Sequence, residues 1–483
     1  MVRGRRELVL WAALALGVGL AMRLWFVAHA ARIDGDTLVY GNIAKNWIQH
    51  GVYGYVATEK GILPTFIRLP GYPTFLAACF AVFGPDQYTA VICLQCVIDL
   101  LACLLLAALA NLLFGRRAAL AALLLSALCP FTATYAATPL TETLTLATIA
   151  LTFYGLHRWR IAGLGFNRWL WITAAAMAYS VLLRPEQGLL AAAIVPAMLW
   201  MTLHSPKQSP QPGESRDLLR TVTPVILAAL IVVLPLAPWT LRNWRTFHVL
   251  QPLAPRSATD PGEFVPTGFY RWYRTWAIDF ASTEEVYWNY DNAPVETRDL
   301  PTRAFDNDDQ YTRTDALLSA YNRNFQPTPQ NDAIFEALAE ERIHADPLRY
   351  YVALPVARLL NMALRPRTEM FPTSLDWWEG GEHPGQTVFA VAYAALNLAY
   401  FILGGVGLWL WHRRGWGENT PFAWAMLATV VLRCALLLTL DNSEPRYTLE
   451  FFPLLIVWGS SVFSTGQLGL QSQTSTQHTR QKK

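Results

Sequence analysis

Residues 87–114 read QYTAVICLQCVIDLLACLLLAALANLLF, with Asp99 the one charged side chain among them. A hydrocarbon layer about 30 Å thick is crossed by about 20 apolar residues in helix, and this run is longer than that. Working outward, nine further segments meet or approach the same test: 8–29, 118–136, 139–157, 169–183, 186–203, 221–241, 386–411, 420–440 and 447–464. The fifth and sixth spans in chain order are short and are divided by Arg184-Pro185-Glu186. Composition agrees. Of 483 residues 53% are hydrophobic and 15% charged, against roughly 25% charged in soluble proteins. Together with 19 Trp, 19 Tyr and 23 Phe, these figures exclude a disordered chain, a nucleic-acid binder and a secreted disulfide scaffold. The expected fold is an all-α polytopic membrane protein with about 10 transmembrane helices.

Orientation follows from the short connections. Arg3, Arg5, Arg6, Arg116, Arg117, Arg158, Arg160, Arg168, Lys207, Arg216, Arg220, Arg413, Arg414, Arg480, Lys482 and Lys483 all fall on one side, which the positive-inside rule makes cytoplasmic. Residues 8–29 are too long for a cleaved signal and lack a clean small-residue site, so they read as an uncleaved anchor. The opposite face then carries a first loop, 30–86, and a segment, 242–385. Within the loop, Thr37–His50 and Pro73–Phe83 suit helices lying at the interface. The segment 242–385 holds 21 of the 35 acidic residues and no Lys, and is rich in Trp, Tyr and Pro. Asn331–Arg349 reads as helix there, and Tyr350–Leu364 as apolar enough to lie on a membrane. The organisation is therefore a core at 1–241, the 242–385 segment, C-terminal helices at 386–465, and a Ser/Thr/Gln-rich disordered cytoplasmic tail at 466–483.

The six cysteines lie in apolar stretches and read as packing residues, Cys93-x-x-Cys96 included. His157, His204 and His412 form no ligand cluster. Asp99 and Arg433 sit deeper in their spans and are expected to pair with polar neighbours. Charges at membrane depth are costly and mark sites. Asp36, Arg68, Glu142, Arg184, Glu186, Arg242, Glu444 and Arg446 all fall at the outer ends of spans. For the carboxylates the bland reading is helix capping, and for the arginines it is snorkelling. A mixed set gathered at one depth instead fits a site for an anionic lipid-linked substrate.

In order along the chain stand Asp36-x-x-x-Tyr40-x-x-Ile43-Ala44-x-Asn46, Arg68-Leu69-Pro70-Gly71-Tyr72-Pro73, Thr141-Glu142, Leu183-Arg184-Pro185-Glu186, Pro238-Trp239-x-x-Arg242-Asn243 and Glu444-Pro445-Arg446-Tyr447. This series resembles the GT-C superfamily of integral-membrane glycosyltransferases, in the branch of the protein O-mannosyltransferases and the lipid A aminoarabinose transferase. The resemblance implies a GT-C type fold and transfer of a sugar from a polyprenyl-phosphate-linked donor to an acceptor hydroxyl at the outer face. Asp36 is then the base and Arg68 the leading phosphate contact, with Arg242 and Arg446 further donor contacts. A leaving lipid phosphate needs a cation more than a general acid, whereas a glycosidase needs two opposed carboxylates. Glu142 and Asp34 join Asp36 as catalytic candidates. Tyr40, Tyr72, Arg184, Glu186 and Glu444 are expected to line the substrate pocket, although Tyr40 and Tyr72 also suit an interfacial belt. No metal ligand set is expected, yet Asp34 with Asp36 leaves Mg²⁺ or Mn²⁺ open.

Thr37 follows Asp36 where aminoarabinose-type enzymes carry an acidic residue, and Arg68 stands where Lys is often found. Donor sugar and acceptor (lipid, glycan or protein) stay open. Two other classes compete: a polysaccharide polymerase or ligase using a diphosphate-linked donor, and a lipid-linked sugar transporter. The latter would show repeats and midplane charges, which are not seen. The lack of any N-x-S/T sequon and the short loops suit a bacterial inner membrane.

Overall fold

The computed structural model describes residues 2–57, 61–204, 218–378 and 383–464. The predicted disordered tail, 466–483, lies outside the described residues, as do Lys207 and Arg216. Helices sit at each of the ten predicted spans. Among the described residues six are by themselves long and apolar enough to cross a membrane: Arg6–His29, Tyr88–Phe114, Pro185–Leu203, Leu218–Phe247, Pro384–Arg413 and Gly417–Leu437. The pair Arg116–Ala127 and Pro130–Ala136, bent by 54°, makes seven if it is one span. The figure of ten is therefore not reached on this criterion, and the reason is physical.

The remaining three sit inside the bundle or are broken. Helix Glu142–Ile161 is almost wholly covered by its neighbours, so it tolerates Thr143, Thr145, Thr148, Thr152 and His157 on buried faces. Two of its hydroxyls bond within the N-terminal end of the helix, Thr145 donating to the Thr141 carbonyl at 2.9 Å and Thr148 to that of Thr145 at 2.8 Å, and Thr143 donates to the Tyr135 carbonyl at 3.2 Å. Helix Arg168–Leu183 has only 16 residues, capped by the Asn167 side chain, which accepts from Trp169 N–H at 2.9 Å. It stops before Pro185, whose ring restricts Arg184 to an extended backbone. The last span is a 3-10 helix, Pro445–Phe451, followed by the short α-helix Phe452–Ser460.

In the first loop, helix Asp36–His50 opens on a carboxylate that suits its N-terminal dipole. It ends at Gly51, whose φ of 69° lets the N–H turn back to the Asn46 and Trp47 carbonyls. A two-stranded antiparallel hairpin follows, Gly54–Ala57 against Gly61–Pro64, with Tyr55 opposite Leu63. Its two four-residue strands are too short to show alternation in the sequence. The second loop helix runs Gly71–Phe83 and packs Tyr72, Leu76 and Phe80 into a buried cluster with Ala44 and Tyr88.

The 242–385 segment builds an apolar core of its own from Phe269, Trp272, Trp276, Tyr321 and Phe335. Helices Thr267–Arg274, Asp308–Tyr321 and Pro329–Ala345 surround it. Asp332 carries the contact between the first and the last of these, accepting from Gly268 N–H at 3.0 Å and Phe269 N–H at 2.9 Å. The helix predicted at Asn331–Arg349 is found as Pro329–Ala345, and the apolar stretch Tyr350–Leu364 is taken up by helix Leu354–Leu364 after a π-helical turn, Arg349–Ala353.

Candidate active site

Five separate stretches of chain, ending at Asp36, Arg68, Glu142, Arg184 with Glu186, and Glu444 with Arg446, come to one place. Asp36 is the first residue of its helix, and the neighbouring Thr37 hydroxyl donates to the Pro139 carbonyl at 3.2 Å. That bond ties the first loop to the turn preceding Glu142. Arg68 lies between the hairpin and helix Gly71–Phe83, its carbonyl held by the Tyr53 hydroxyl at 2.9 Å. Arg184 and Glu186 occupy the proline break. Glu444 and Arg446 flank Pro445, whose carbonyl accepts from buried Arg367 at 2.8 Å.

Asp36 is gripped on both oxygens. Its Oδ1 accepts from Arg68 Nη2 at 2.6 Å and its Oδ2 from Arg446 Nη2 at 3.1 Å. From there charges alternate inward. Arg446 pairs with Glu444 and lies 3.9 Å from Glu142. Glu142 accepts from Arg184 at 3.0 Å, and Arg184 also meets Glu186 at 2.7 Å and Glu450 at 3.7 Å. Arg433 closes the chain, 3.0 Å from Glu450 and 3.6 Å from Glu186. Four guanidiniums thus face five carboxylates, a formal charge of −1. In a low-dielectric setting such a network stands only because nearly every charge has an opposite neighbour.

Electrostatics set the two loop carboxylates apart. Burial opposes ionisation of Asp36, but Arg446 and Arg68 outweigh it and hold its pKa at about 2. Burial pushes the Glu444 carboxyl up, against the pull of Arg446. Glu444 Oε2 is buried without a hydrogen-bond partner. Arg68 has capacity to spare: its Nε is likewise buried and unpartnered, and its guanidinium lies 5.7 Å over the Tyr40 ring. Tyr40 itself is pushed up to about 12 by burial and packs edge-on to Tyr72 at 5.1 Å. The Tyr72 hydroxyl is occupied by Gln95 at 2.6 Å. Such a site sets an ionised carboxylate beside guanidiniums that match the oxygens of a phosphate.

Of the residues singled out from sequence, Asp36, Arg68, Glu142, Arg184, Glu186, Glu444 and Arg446 come together, with Tyr40 against Arg68. Arg242 does not join them. Its guanidinium donates to the Thr65 and Tyr53 carbonyls, each at 2.7 Å, and lies over Tyr53, Trp239 and Phe247. It braces the loop. Asp34 is exposed and contributes its backbone carbonyl to Thr37 N–H at 3.0 Å. Among the described residues no three His, Cys, Asp or Glu side chains group to hold a metal ion, and both Asp36 oxygens are already spent on arginines. The sequence reading missed Glu450 and kept Arg433 apart from the site. The same rule that flagged the others, a charge at the outer end of an apolar span, applies to Glu450.

A family model described as dolichyl-phosphate-mannose-protein mannosyltransferase matches residues 68–240. That stretch holds Arg68, Glu142, Arg184 and Glu186 and leaves out Asp36, Glu444 and Arg446. Comparison with curated proteins returns no match. Two crystal structures of ArnT from Cupriavidus metallidurans align along the chain. The one bound to undecaprenyl phosphate is 13% identical, with 94% of this chain and 78% of that chain covered and a TM-score of 0.38. The apo form is 15% identical, with 94% and 77% covered and a TM-score of 0.34. The family match supports the resemblance to GT-C membrane glycosyltransferases carried by the order of the motifs, and with the apolar helices it supports a multi-pass integral membrane protein.

Proposed function

We propose that this chain is an inverting membrane glycosyltransferase that moves a sugar from a polyprenyl-phosphate-linked donor to an acceptor hydroxyl. The observation that carries the reading is Asp36 held between Arg68 and Arg446. Asp36 takes the proton of the acceptor hydroxyl as its oxygen attacks the anomeric carbon. The bond from that carbon to the phosphate oxygen breaks, and its electron pair leaves on the phosphate, where Arg68 and Arg446 stabilise the charge. Glu142, Arg184 and Glu186 hold Arg446 and the surrounding pocket in place. The acceptor is a lipid, a glycan or a protein. The site faces the exterior of a bacterial inner membrane, because the arginine-rich short connections lie on the other side of the spans.

Purified full-length chain in lipid nanodiscs, supplied with monophosphate-linked and diphosphate-linked polyprenyl sugars, tests this. Transfer is expected from the monophosphate alone, and Asp36→Asn should abolish it while leaving the elution profile and helicity unchanged. Turnover from the diphosphate donor would favour a polymerase or ligase instead, and near-normal turnover by Asp36→Asn would remove Asp36 as the base.

A further inference from the structure

Both oxygens of Asp36 are occupied, and both partners are groups that the proposed reaction also requires. Arg68 gives one Nη to Asp36, has an unpartnered buried Nε, and gives its other Nη to the adjacent Ile67 carbonyl at a long 3.3 Å. Arg446 gives Nη2 to Asp36 and keeps its Nε side toward Glu444 and Glu142. A carboxylate bound twice by guanidinium is a poor proton acceptor, since protonation would sacrifice two ion pairs. A phosphate placed in the same pair would engage each guanidinium bidentately, a stronger arrangement than the single contacts that Asp36 enjoys. Nothing else in the network competes: Arg184 and Arg433 are committed to Glu142, Glu186 and Glu450.

We infer that Arg68 and Arg446 are exchanged between Asp36 and the donor phosphate, so that donor binding itself converts a parked carboxylate into the working base. This rests on the reading of function above and adds a regulatory order to it. Without donor, Asp36 is paired and inert toward any hydroxyl, water included. With donor, the guanidiniums turn to the phosphate and Asp36 is freed beside the anomeric carbon. The acceptor proton then passes to Asp36 while the C–O bond to phosphate breaks. Once the product lipid phosphate leaves, both arginines return and Asp36 releases the proton to solvent.

The charged and titratable groups facing Asp36 are Arg68 and Tyr40 from the first loop, and Arg446, Glu444 and Glu142 from the other elements. The free enzyme keeps Asp36 ionised down to about pH 2. Because kcat/KM reports the free enzyme and kcat the donor complex, kcat should show an acid limb at roughly pH 4–6 that kcat/KM lacks. That limb should persist in Glu444→Gln, which separates it from Glu444. A structure of the full chain with polyprenyl phosphate should place phosphate oxygens on Arg68 and Arg446, with both Asp36 contacts opened past about 4 Å. Bound lipid phosphate with Asp36 still doubly paired, or identical acid limbs in kcat and kcat/KM, overturns the exchange alone. Failure of polyprenyl phosphate to bind at any pH overturns the functional reading, and the exchange with it.

Discussion

Arg68, in the first loop, and Arg242, on helix Leu236–Phe247, share a residue type and a place against aromatic rings, yet they are put to different uses. Arg68 reaches a carboxylate and keeps an unused donor; Arg242 spends itself on two backbone carbonyls. Substitution should separate them. Arg68→Ala is expected to lower kcat/KM for the donor on the order of 10²-fold, the usual cost of one electrostatic contact to a developing anion, with Lys recovering part of it. Arg242→Ala should leave the apparent donor affinity alone and lower stability by about 1–3 kcal/mol, since the Thr65 carbonyl loses the guanidinium and the Tyr53 carbonyl keeps only Thr65 N–H. Steady-state kinetics and thermal unfolding on the same preparations check both, and a donor-affinity loss in Arg242→Ala would return that residue to the site. Both arginines were flagged by one rule, that charge is scarce at membrane depth. Scarcity marks where a charged side chain sits; it does not say which way the side chain turns. That is why the sequence points to Asp36, Arg68, Arg446, Arg242 and Asp34 alike, while only the first three meet in one cluster of ion pairs.

Elements were legible to the extent that they were long and uniformly apolar. Tyr88–Phe114 and Pro384–Arg413 fall within a few residues of their predicted ends. The hairpin at Gly54–Pro64 was not legible, because two four-residue strands give too short a run for alternation to register. The closing helix Phe452–Ser460 is a third case, short but fixed by close contact with Pro384–Arg413. A side chain at Gly407 would collide with the Trp458 carbonyl, and one at Gly404 would press on Leu455. Small residues let two helix backbones approach within a membrane, where packing rather than the hydrophobic effect holds helices together. The 3-10 turn that carries Arg446 and Glu450 runs straight into this helix. Gly407→Leu should therefore push the closing helix outward, cost about 1–3 kcal/mol in stability and reduce turnover through Arg446, although it touches no charged group. Unaltered turnover in a variant of lowered thermal midpoint would show that the strain stops short of Arg446.

Across the whole molecule, scarce charges are sorted into separate networks, and only one contains Asp36. A second fastens the first span. Arg23 is fully buried, donates from Nε to Asp99 at 2.7 Å, and from Nη1 to the Gly19 and Ala127 carbonyls at 2.8 Å each. Asp99 was expected to find a polar neighbour inside the bundle, and it does; Arg23 was not singled out, because snorkelling explains most arginines near a helix end. The helix that carries it, Val2–His29, exposes most of its surface away from the other helices, so this pair supplies specific attachment where little packing exists. Deleting one partner should cost about 3–5 kcal/mol, because the other is left charged and alone in an apolar interior. Replacing both is different: Arg23→Met with Asp99→Leu removes the attraction and the desolvation penalty together. The single variants should therefore have much lower thermal midpoints than the native chain, with the double variant recovering most of the loss. Because this pair shares no ion pair with Asp36, Arg68 or Arg446, donor turnover measured well below the midpoint should stay near the native rate in the double variant. A double variant no more stable than the singles would mean that the pair contributes net attraction, beyond the avoidance of an orphaned charge.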